Sequence, residues 1–534
     1  SPRFGFAQHA QRLTIEELNA FMAGKVQFET NHLNGELLNL PTYFDCCSGP
    51  IGFVLAQSPV YDAGEIGPKF NNASCISCHM LDGKGATPNP GVDLQSLVVQ
   101  LSVPGTDEIG GPRAHPYYGH QLNTDATEGV QPEGQLRVTY TEQSGTFADG
   151  QSYSLRVPSY QYSEMTFGSI GQNIPDVNGS AGYQGVAQAS PRIAPMLAGL
   201  GLLEAVREDD ILSRVDESDS NGDGISGRPN WVYDELTDSM QLGRFGWKAN
   251  QPNLLQQTAA AFHQDLGLTS SIYPREDCGE DDEDCNEAQN SAAEISQSDL
   301  ALVEAYIRGL TLPPRRNYEN PDAIAGMHLF KRAKCHTCHT PSLQTSDDYA
   351  IAGFRGQRIE AFTDLLLHDM GPDLADNRPH FGASGSEWRT PPLWALGYVK
   401  HVLGTPDTCT DPFSGGAQPN FLHDGRARSL SEAILWHGGE GQESRDSFVA
   451  MTGTERAQLI AFLEYPFDDP IFDEVQTHCT LDLDGSGVID VGDFSIFLVE
   501  FGTVGASPAD FNGDGVVNIS DFSIFLLDFG RPCS

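Results

Sequence analysis

The spacing of apolar residues divides the chain into stretches of different period. Near the start, Leu18, Phe21 and Met22 follow Thr14 and Glu17, whose three-residue separation is that of a capping box, and this predicts a helix beginning at Thr14. From Gln135 to Val157 the period falls to two. Leu136, Val138 and Tyr140 alternate with polar residues, an Asp149-Gly150 turn follows, and Tyr153, Leu155 and Val157 alternate again, which predicts a β-hairpin of structural rather than chemical importance. A helical period returns with Leu300, Val303, Ile307 and Leu310 on one face, opened by Ser296 and Asp299 and closed by Pro313-Pro314. After Pro466 the chain carries two near-identical apolar helices, DFSIFLVEFG and DFSIFLLDFG. The pattern reads as a mainly α fold with long loops, a small β-hairpin insertion and a small helical C-terminal module.

Composition narrows this picture. A chain of 534 residues is too long for one hydrophobic core and predicts two to four domains. With 39% hydrophobic residues, 56 Gly and 33 Pro, the expectation is a globular protein with much irregular chain. The formal net charge of -42 repels nucleic acid and anionic membranes and excludes polyanionic partners. No stretch approaches the ~20 apolar residues needed to cross a bilayer. The sequence opens at Ser1 without Met, which fits a mature form whose signal peptide has been removed, so export to the periplasm, cell surface or medium is expected.

Cysteine and histidine spacing then supplies the chemistry. Cys75-Ile76-Ser77-Cys78-His79 and Cys335-His336-Thr337-Cys338-His339 share one pattern, Cys-x-x-Cys-His. This is the signature of covalent c-type haem attachment: two thiols add across the haem vinyl groups, and the adjacent His supplies an axial nitrogen to iron. With 11 Cys and 15 His in the chain, chance would give roughly 0.006 matches, so two are not coincidence. A redox dithiol or half of a zinc site leaves the His at each copy unexplained. His336, inside the second motif, reads as an exposed spacer. The other seven cysteines read as disulfide material in an exported protein. Cys278 and Cys285 bracket an acidic loop, Cys479 and Cys533 bracket the C-terminal module, and one of Cys46 and Cys47 is free to join Cys409, leaving an odd thiol.

A second pattern points to calcium. Asp482, Asp484, Ser486, Asp490 and Asp493 occupy positions 1, 3, 5, 9 and 12 of a twelve-residue loop, with Gly487 at 6 and the Val488 carbonyl at 7. Asp510, Asn512, Asp514, Val516, Asn518 and Asp521 repeat it 28 residues later, so two ions are expected. Asp at position 12 in place of Glu resembles dockerin repeats over residues 479 to 533, and the resemblance implies a cohesin-like or surface partner. A third candidate loop, Asp219-Ser-Asn221-Gly-Asp223-Gly224, has Asn230 at position 12, which cannot give a bidentate carboxylate, and competes with a plain Asx-rich turn.

Several segments in order, GPKFNNASCISCH, SPRIAPMLAGLGLLEA, NGDGISGRPNWV, LGRFGWKA, TDLLLHDMG, EWRTPPLWALG and FLHDGRARSLSEAILWHGGE, resemble the di-haem oxidoreductase family, also called di-haem thiol oxidoreductases and related to bacterial di-haem cytochrome c peroxidases. The likeness runs from about residue 65 to 465 and implies two cytochrome-c-like haem domains. The expected division is an N-terminal segment at 1–60, a first haem domain with insertions at 61–315, a second at 316–470, and the dockerin-like module at 479–533. His79 and His339 are the implied proximal ligands. In the related peroxidases the sixth ligand of the C-terminal haem follows a His-Asp-Gly segment by fourteen residues, and the count from His423 lands on His437. Two His ligands would favour ferric iron relative to a Met ligand. For the first haem the candidates are His115, His120, His368 and Met370, or an open position.

The implied activity is reduction of a small oxidant such as hydrogen peroxide, with electrons from a redox partner protein relayed between two haems. It needs an acid/base and a cation near iron. Glu133 and Arg192 are the candidates, with Glu128 and Gln121 also available by type. Arg389, His423 and Arg426 are candidates to pair with haem propionates, and Trp247, Trp388, Trp394 and Trp436 to lie between haems, although core packing competes for each. The competing function is a non-catalytic electron carrier with both irons six-coordinate, which could self-assemble into homo-oligomers or be tethered at the cell surface. Chelating calcium is expected to unfold or release the C-terminal module while haem stays attached; limited proteolysis with and without chelator checks this, and an unchanged module counts against calcium binding.

Overall fold

The computed structural model describes residues 13–33, 66–87, 96–168, 187–289, 292–312, 320–399 and 419–464, together with residues 170 and 403 and scattered positions between 483 and 529. Cys46, Cys47, Cys409, Cys479 and Cys533 lie outside the described residues. So do Asp482, Asp484, Ser486, Val488, Asp490, Asp510, Asn512 and Asp514 of the two calcium-loop patterns. No described helix is long and apolar enough to cross a membrane.

Helix α1 (Ile15–Glu29) starts where the capping box predicts: the Thr14 hydroxyl accepts from Glu17 N, and Glu17 returns the bond to Thr14 N. Its inner face is Phe21, Gly24, Gln27 and Phe28, and Met22 faces solvent. The helices that follow and bear on the site are α2 (Leu254–Asp265), α3 (Gln297–Gly309), α4 (Pro321–Arg332), α5 (Leu430–Leu435), α6 (Gln442–Ala450) and α7 (Gly453–Glu464), beside shorter ones and Val491–Glu500 in the C-terminal module. Close packing of α1 on α3 depends on two missing side chains. A Cβ at Gly24 would stand 1.9 Å from Leu302 O, and one at Gly309 2.6 Å from the Phe21 ring. The α4–α7 pair repeats the device, with Gly326 against Gln458 O.

Strand β1 (Leu97–Thr106) pairs antiparallel with β4 (Gln188–Ile193), in a register that sets Leu97 opposite Ile193 and Val98 opposite Arg192. The short strands Pro112–Arg113 and Gln121–Leu122 also pair with it. Between these segments rises the predicted hairpin, β2 (Gln135–Thr146) and β3 (Ser152–Ser163), longer than its alternation indicated and turned at Gly150 with φ +87°. In the later half, β5 (Leu367–Asp369) pairs with β6 (Glu387–Arg389), opposing His368 to Trp388.

The hairpin clamps the earlier and later parts of the chain together. The Arg156 guanidinium donates to Arg426 O and Gly425 O, and its backbone N–H donates to Glu432. The Tyr160 hydroxyl donates to Asp424, and Arg456 of α7 reaches Asp149. One apolar core runs without interruption from Phe21 to Leu463, and a second lies beneath β1 and the hairpin. Cys278 and Cys285 form the disulfide that closes the acidic loop. In the C-terminal module, Asp493 and Asp521 are fully buried, and two small apolar clusters around Ile489 and Phe497 share Phe494, Phe511 and Phe522.

Replacing Gly326 by Val is expected to destabilise the protein by about 2–4 kcal/mol, because the new methyl groups meet main chain that cannot move aside. Denaturant unfolding measures this, and an unchanged midpoint would show that α4 and α7 do not pack through this contact.

Candidate functional site

Both Cys-x-x-Cys-His segments open onto one continuous cavity of about 430 Å³. That volume lies within the roughly 300–1,000 Å³ usual for ligand pockets. Cys75, Cys78 and His79 line it on one side and Cys335, Cys338 and His339 on another, and the remaining wall is largely apolar, including Phe245, Phe262, Leu266 and Val303. All four motif cysteines are free thiols. Burial pushes Cys75 and Cys335 up to about 12, so both are protonated at neutral pH.

The first motif forms a single helical turn, Cys75–Cys78, whose serines share a hydrogen bond between Ser74 and Ser77 of 2.6 Å. His79 Nδ1 lies 3.3 Å from Gly83 O, and Phe28 of α1 packs near the ring. A proton on Nδ1 shared with that carbonyl leaves the lone pair on Nε2. Burial drives His79 down to about 4, which keeps it neutral and able to bind metal. The returning turn is anchored by Asp82, at φ +63°, which accepts from the Tyr306 hydroxyl of α3. The second motif repeats this logic. Lys334 at φ +61° leads into Cys335, and His339 Nδ1 lies 3.0 Å from Phe362 O. His339 is driven down to about 4 by burial, with His437 as the next cause. His437 Nδ1 lies 2.8 Å from Ala433 O at the end of α5, which again selects Nε2 as the free nitrogen.

The other predicted residues divide between the cavity and places away from it. His437, Arg389, Arg192, Met370, His368 and His423 line it. His368 stands beside the second motif, with Nδ1 3.6 Å from Cys338 Sγ. Both its ring nitrogens are engaged, Nδ1 by Glu440 at 2.7 Å and Nε2 by Asp364 at 2.9 Å. Burial opposes its charge, but Asp364, Cys338 and Glu440 outweigh burial and hold the imidazole well above its ordinary value. Met370 is also on that side, because a Cβ at Gly441 would meet both Met370 Cε and His437. His115 and His120 do not line the cavity. His115 Nδ1 accepts from Tyr117 N and Tyr118 N, and His120 pairs with Asp277 at 2.8 Å.

Glu133 and Arg192 do not form a pair in the cavity. Glu133 is buried elsewhere, accepting from Asn123 N at 2.7 Å and facing Lys69 at 3.6 Å. Arg192 reaches the lining but is bound to Asp376 at 3.0 Å. The acid that does line the cavity near the first motif is the half-buried Asp265. It accepts from Gln121 Nε2 at 2.7 Å, and burial pushes it up to about 6. Sequence alone offers no signal for it, since Asp265 simply ends an amphipathic helix. His423 stacks on Trp388 with centroids 3.8 Å apart, and Arg192 and Lys248 lie over the same Trp388 ring at 4.9 and 4.4 Å. Arg426 is tied to Asp424, and Arg389 donates to Gly246 O and Thr390 O.

In the loop at Asp219, the side-chain oxygens are used by their own loop: Gly224 N donates to Asp219, Asp223 N to Asn221 and Ile225 N to Asp223. Among the described residues no group of three or more His, Cys, Asp or Glu is arranged to hold a metal ion.

Two neutral imidazoles fixed by main-chain carbonyls, each beside a free dithiol on one buried cavity, define a protein built to hold a pair of redox groups. A family model described as "Di-haem oxidoreductase, putative peroxidase" matches residues 119–465, and the chain belongs to this family of haem-dependent redox proteins. The match contains the second motif and stops short of the first. No curated protein matches the chain. Among solved structures, hydrazine synthase of Kuenenia stuttgartiensis, determined under xenon pressure, is similar at 18% identity over 34% of this chain and 57% of that chain, with a TM-score of 0.19. The donor set fits haem on the structure's own terms: neutral imidazoles, free thiols, apolar walls and buried cations suited to carboxylates.

Asp376 holds the charge balance behind this wall. It accepts from Arg192 and Lys248 at 3.0 Å each and from Ser190 at 2.6 Å. Burial pushes its carboxyl up, but Arg192 and Lys248 outweigh burial and leave it below its ordinary value. Its stabilising contribution is therefore present above the unfolded carboxyl value of ~3.9 and lost as pH falls through the lower folded one. Asp376→Asn leaves two buried cations without a carboxylate and is expected to cost about 3–5 kcal/mol at neutral pH. Denaturant unfolding checks it, and a loss under about 1 kcal/mol would show that these cations are compensated elsewhere.

Proposed function

We propose that the chain is an exported c-type cytochrome that holds two haems covalently and reduces a small oxidant, of which hydrogen peroxide is the simplest. The observation that carries this reading is the opening of both Cys-x-x-Cys-His segments onto one cavity. Cys75, Cys78, Cys335 and Cys338 would each add S–H across a vinyl group, a step that needs no oxidant, and His79 and His339 would bind iron through Nε2. When bound, the haems supply single-electron carriers, and reduction of one peroxide to two waters consumes two electrons and two protons.

The polypeptide's own contribution is position, dryness and protons. His437, neutral and electrostatically coupled to His339, supports a closed second site suited to electron transfer. At the first site, His368 has both nitrogens engaged, Met370 packs toward His437, and His115 and His120 are not part of the lining. This supports an accessible position there. Asp265, hydrogen-bonded to Gln121 and raised by burial toward neutral pH, is suited to deliver a proton, a role Glu133 cannot take while bound to Asn123. The carrier reading is favoured by one feature, the proximity of His437 to His339 that their electrostatic interaction reports, and holds if both irons are closed. The two calcium-loop patterns support a docking module that tethers the redox part to a surface partner.

Electron paramagnetic resonance of the fully oxidised and half-reduced protein tests the choice. One iron is expected to be high-spin and to bind small ligands in at least one of these states; two low-spin irons that reject ligands in both states establish the carrier instead. Haem retained after denaturation is expected to fall from two groups to one in a Cys75→Ala/Cys78→Ala variant, and mass spectrometry reads the count directly.

A further inference from the structure

Three lysines are almost completely buried, and they are not treated alike. Lys69 pairs with Asp282, and Lys248 pairs with Asp376. Lys84 is 7% exposed and lines the cavity, yet no carboxylate lies within ion-pair distance of it among the described residues. Among the described residues its Nζ donates to Asn420 O alone, at 3.0 Å, and it stands 5.5 Å over the Trp247 ring and 5.8 Å over Phe421. An ammonium has three donors, so two are left for something else. The acid that acts on it most, Asp424, is already taken by Arg426 and the Tyr160 hydroxyl.

Burial of an unpaired charge costs several kcal/mol, and burial, only partly opposed by Asp424, drives Lys84 down to about 7. The surrounding chain nevertheless holds it in place. Asn420 Nδ2 donates to Gly85 O at 2.9 Å, so the turn after the first motif and the segment before His423 are bound in both directions. Gly85 also lets the turn lie against β1 and the chain after β4, since a Cβ there would stand 2.7 Å from Ser96 Cβ and 3.1 Å from Ala194 Cβ. Lys84 follows His79 by five residues, and both side chains line the same cavity.

We infer that Lys84 holds a carboxylate of the haem attached at Cys75 and Cys78, completing its ion pair with the prosthetic group rather than with the polypeptide. The inference rests on the haem reading above and assigns Lys84 as a positioning residue. A cation beside a haem carboxylate favours the reduced, less positive iron, so its removal lowers that haem's reduction potential.

The test uses the full-length holoprotein, with haem content measured first; a wild-type chain that carries no haem at the first motif ends the haem reading itself and not only this assignment. Redox titration followed in the visible spectrum compares wild type with Lys84→Met, Lys84→Gln and Lys84→Arg. The Cys75→Ala/Cys78→Ala variant, which retains only the second haem, identifies which midpoint belongs to which group. Lys84→Gln keeps a donor for Asn420 O and removes only the charge, so it serves if Lys84→Met does not fold. The first haem's midpoint is expected to fall in Met and Gln and to return in Arg, while the second stays where it was. An unchanged first midpoint in Lys84→Gln with both haems attached, or a shift confined to the second haem, overturns the assignment; either would mean that Lys84 serves only to join the two segments.

Discussion

Two hydrogen bonds from imidazole to main chain organise the centre of this protein: His79 Nδ1 to Gly83 O and His339 Nδ1 to Phe362 O. Each selects the tautomer with a free Nε2 and holds the ring at a fixed angle. Each also requires the chain to turn back sharply toward the histidine, and the cost is visible in left-handed backbone at Asp82, with φ +63°, and at Phe362, with φ +50°. Such conformations persist only where the surroundings over-determine them. Here the surroundings are Tyr306 on Asp82 and the packing of Phe330 and Phe462 around Phe362.

The same centre has a charge problem. The chain is strongly acidic overall, yet Arg192, Lys248, Arg378, Arg389 and Lys84 are all buried. Asp376 compensates Arg192 and Lys248, whereas Lys84 and Arg389 both line the cavity and, among the described residues, bond to main-chain carbonyls without an ion-paired carboxylate. The hairpin belongs to this arrangement. Through Tyr160, Arg156 and Glu142 it secures the segment from Asp424 to Glu432, which leads into the helix ending just before His437. An element that sequence periodicity marks as structural thus steadies a wall of the site.

How much could be read without coordinates depends on how local each feature is. The capping box at Thr14 and Glu17, the turn at Gly150 and the Cys278–Cys285 ring involve residues within a few positions of one another, and their spacing carries the signal. The strand Gln188–Ile193 was not legible, because its residues Ser190 and Pro191 do not alternate in hydropathy and its partner β1 is about ninety residues away. Glu133 fits an acid/base by residue type and region, but its environment depends on Lys69 and Asn123, and burial there with hydrogen bonds removes it from the cavity. His368 shows the same limit: nothing near it in the chain announces Glu440, 72 positions later.

The sequence by itself determined the reactive chemistry, since a dithiol and an imidazole in five consecutive residues need no distant partner to be recognised, and it determined the helices and turns whose caps and breakers are contiguous. Only the tertiary structure decided that the two motifs share one cavity, which histidines keep a free nitrogen, and which cations lack an acid. Those properties are set by burial and by pairing across large separations, such as the 336 residues between Lys84 and Asn420, and a side chain's charge, tautomer and availability follow from what finally surrounds it.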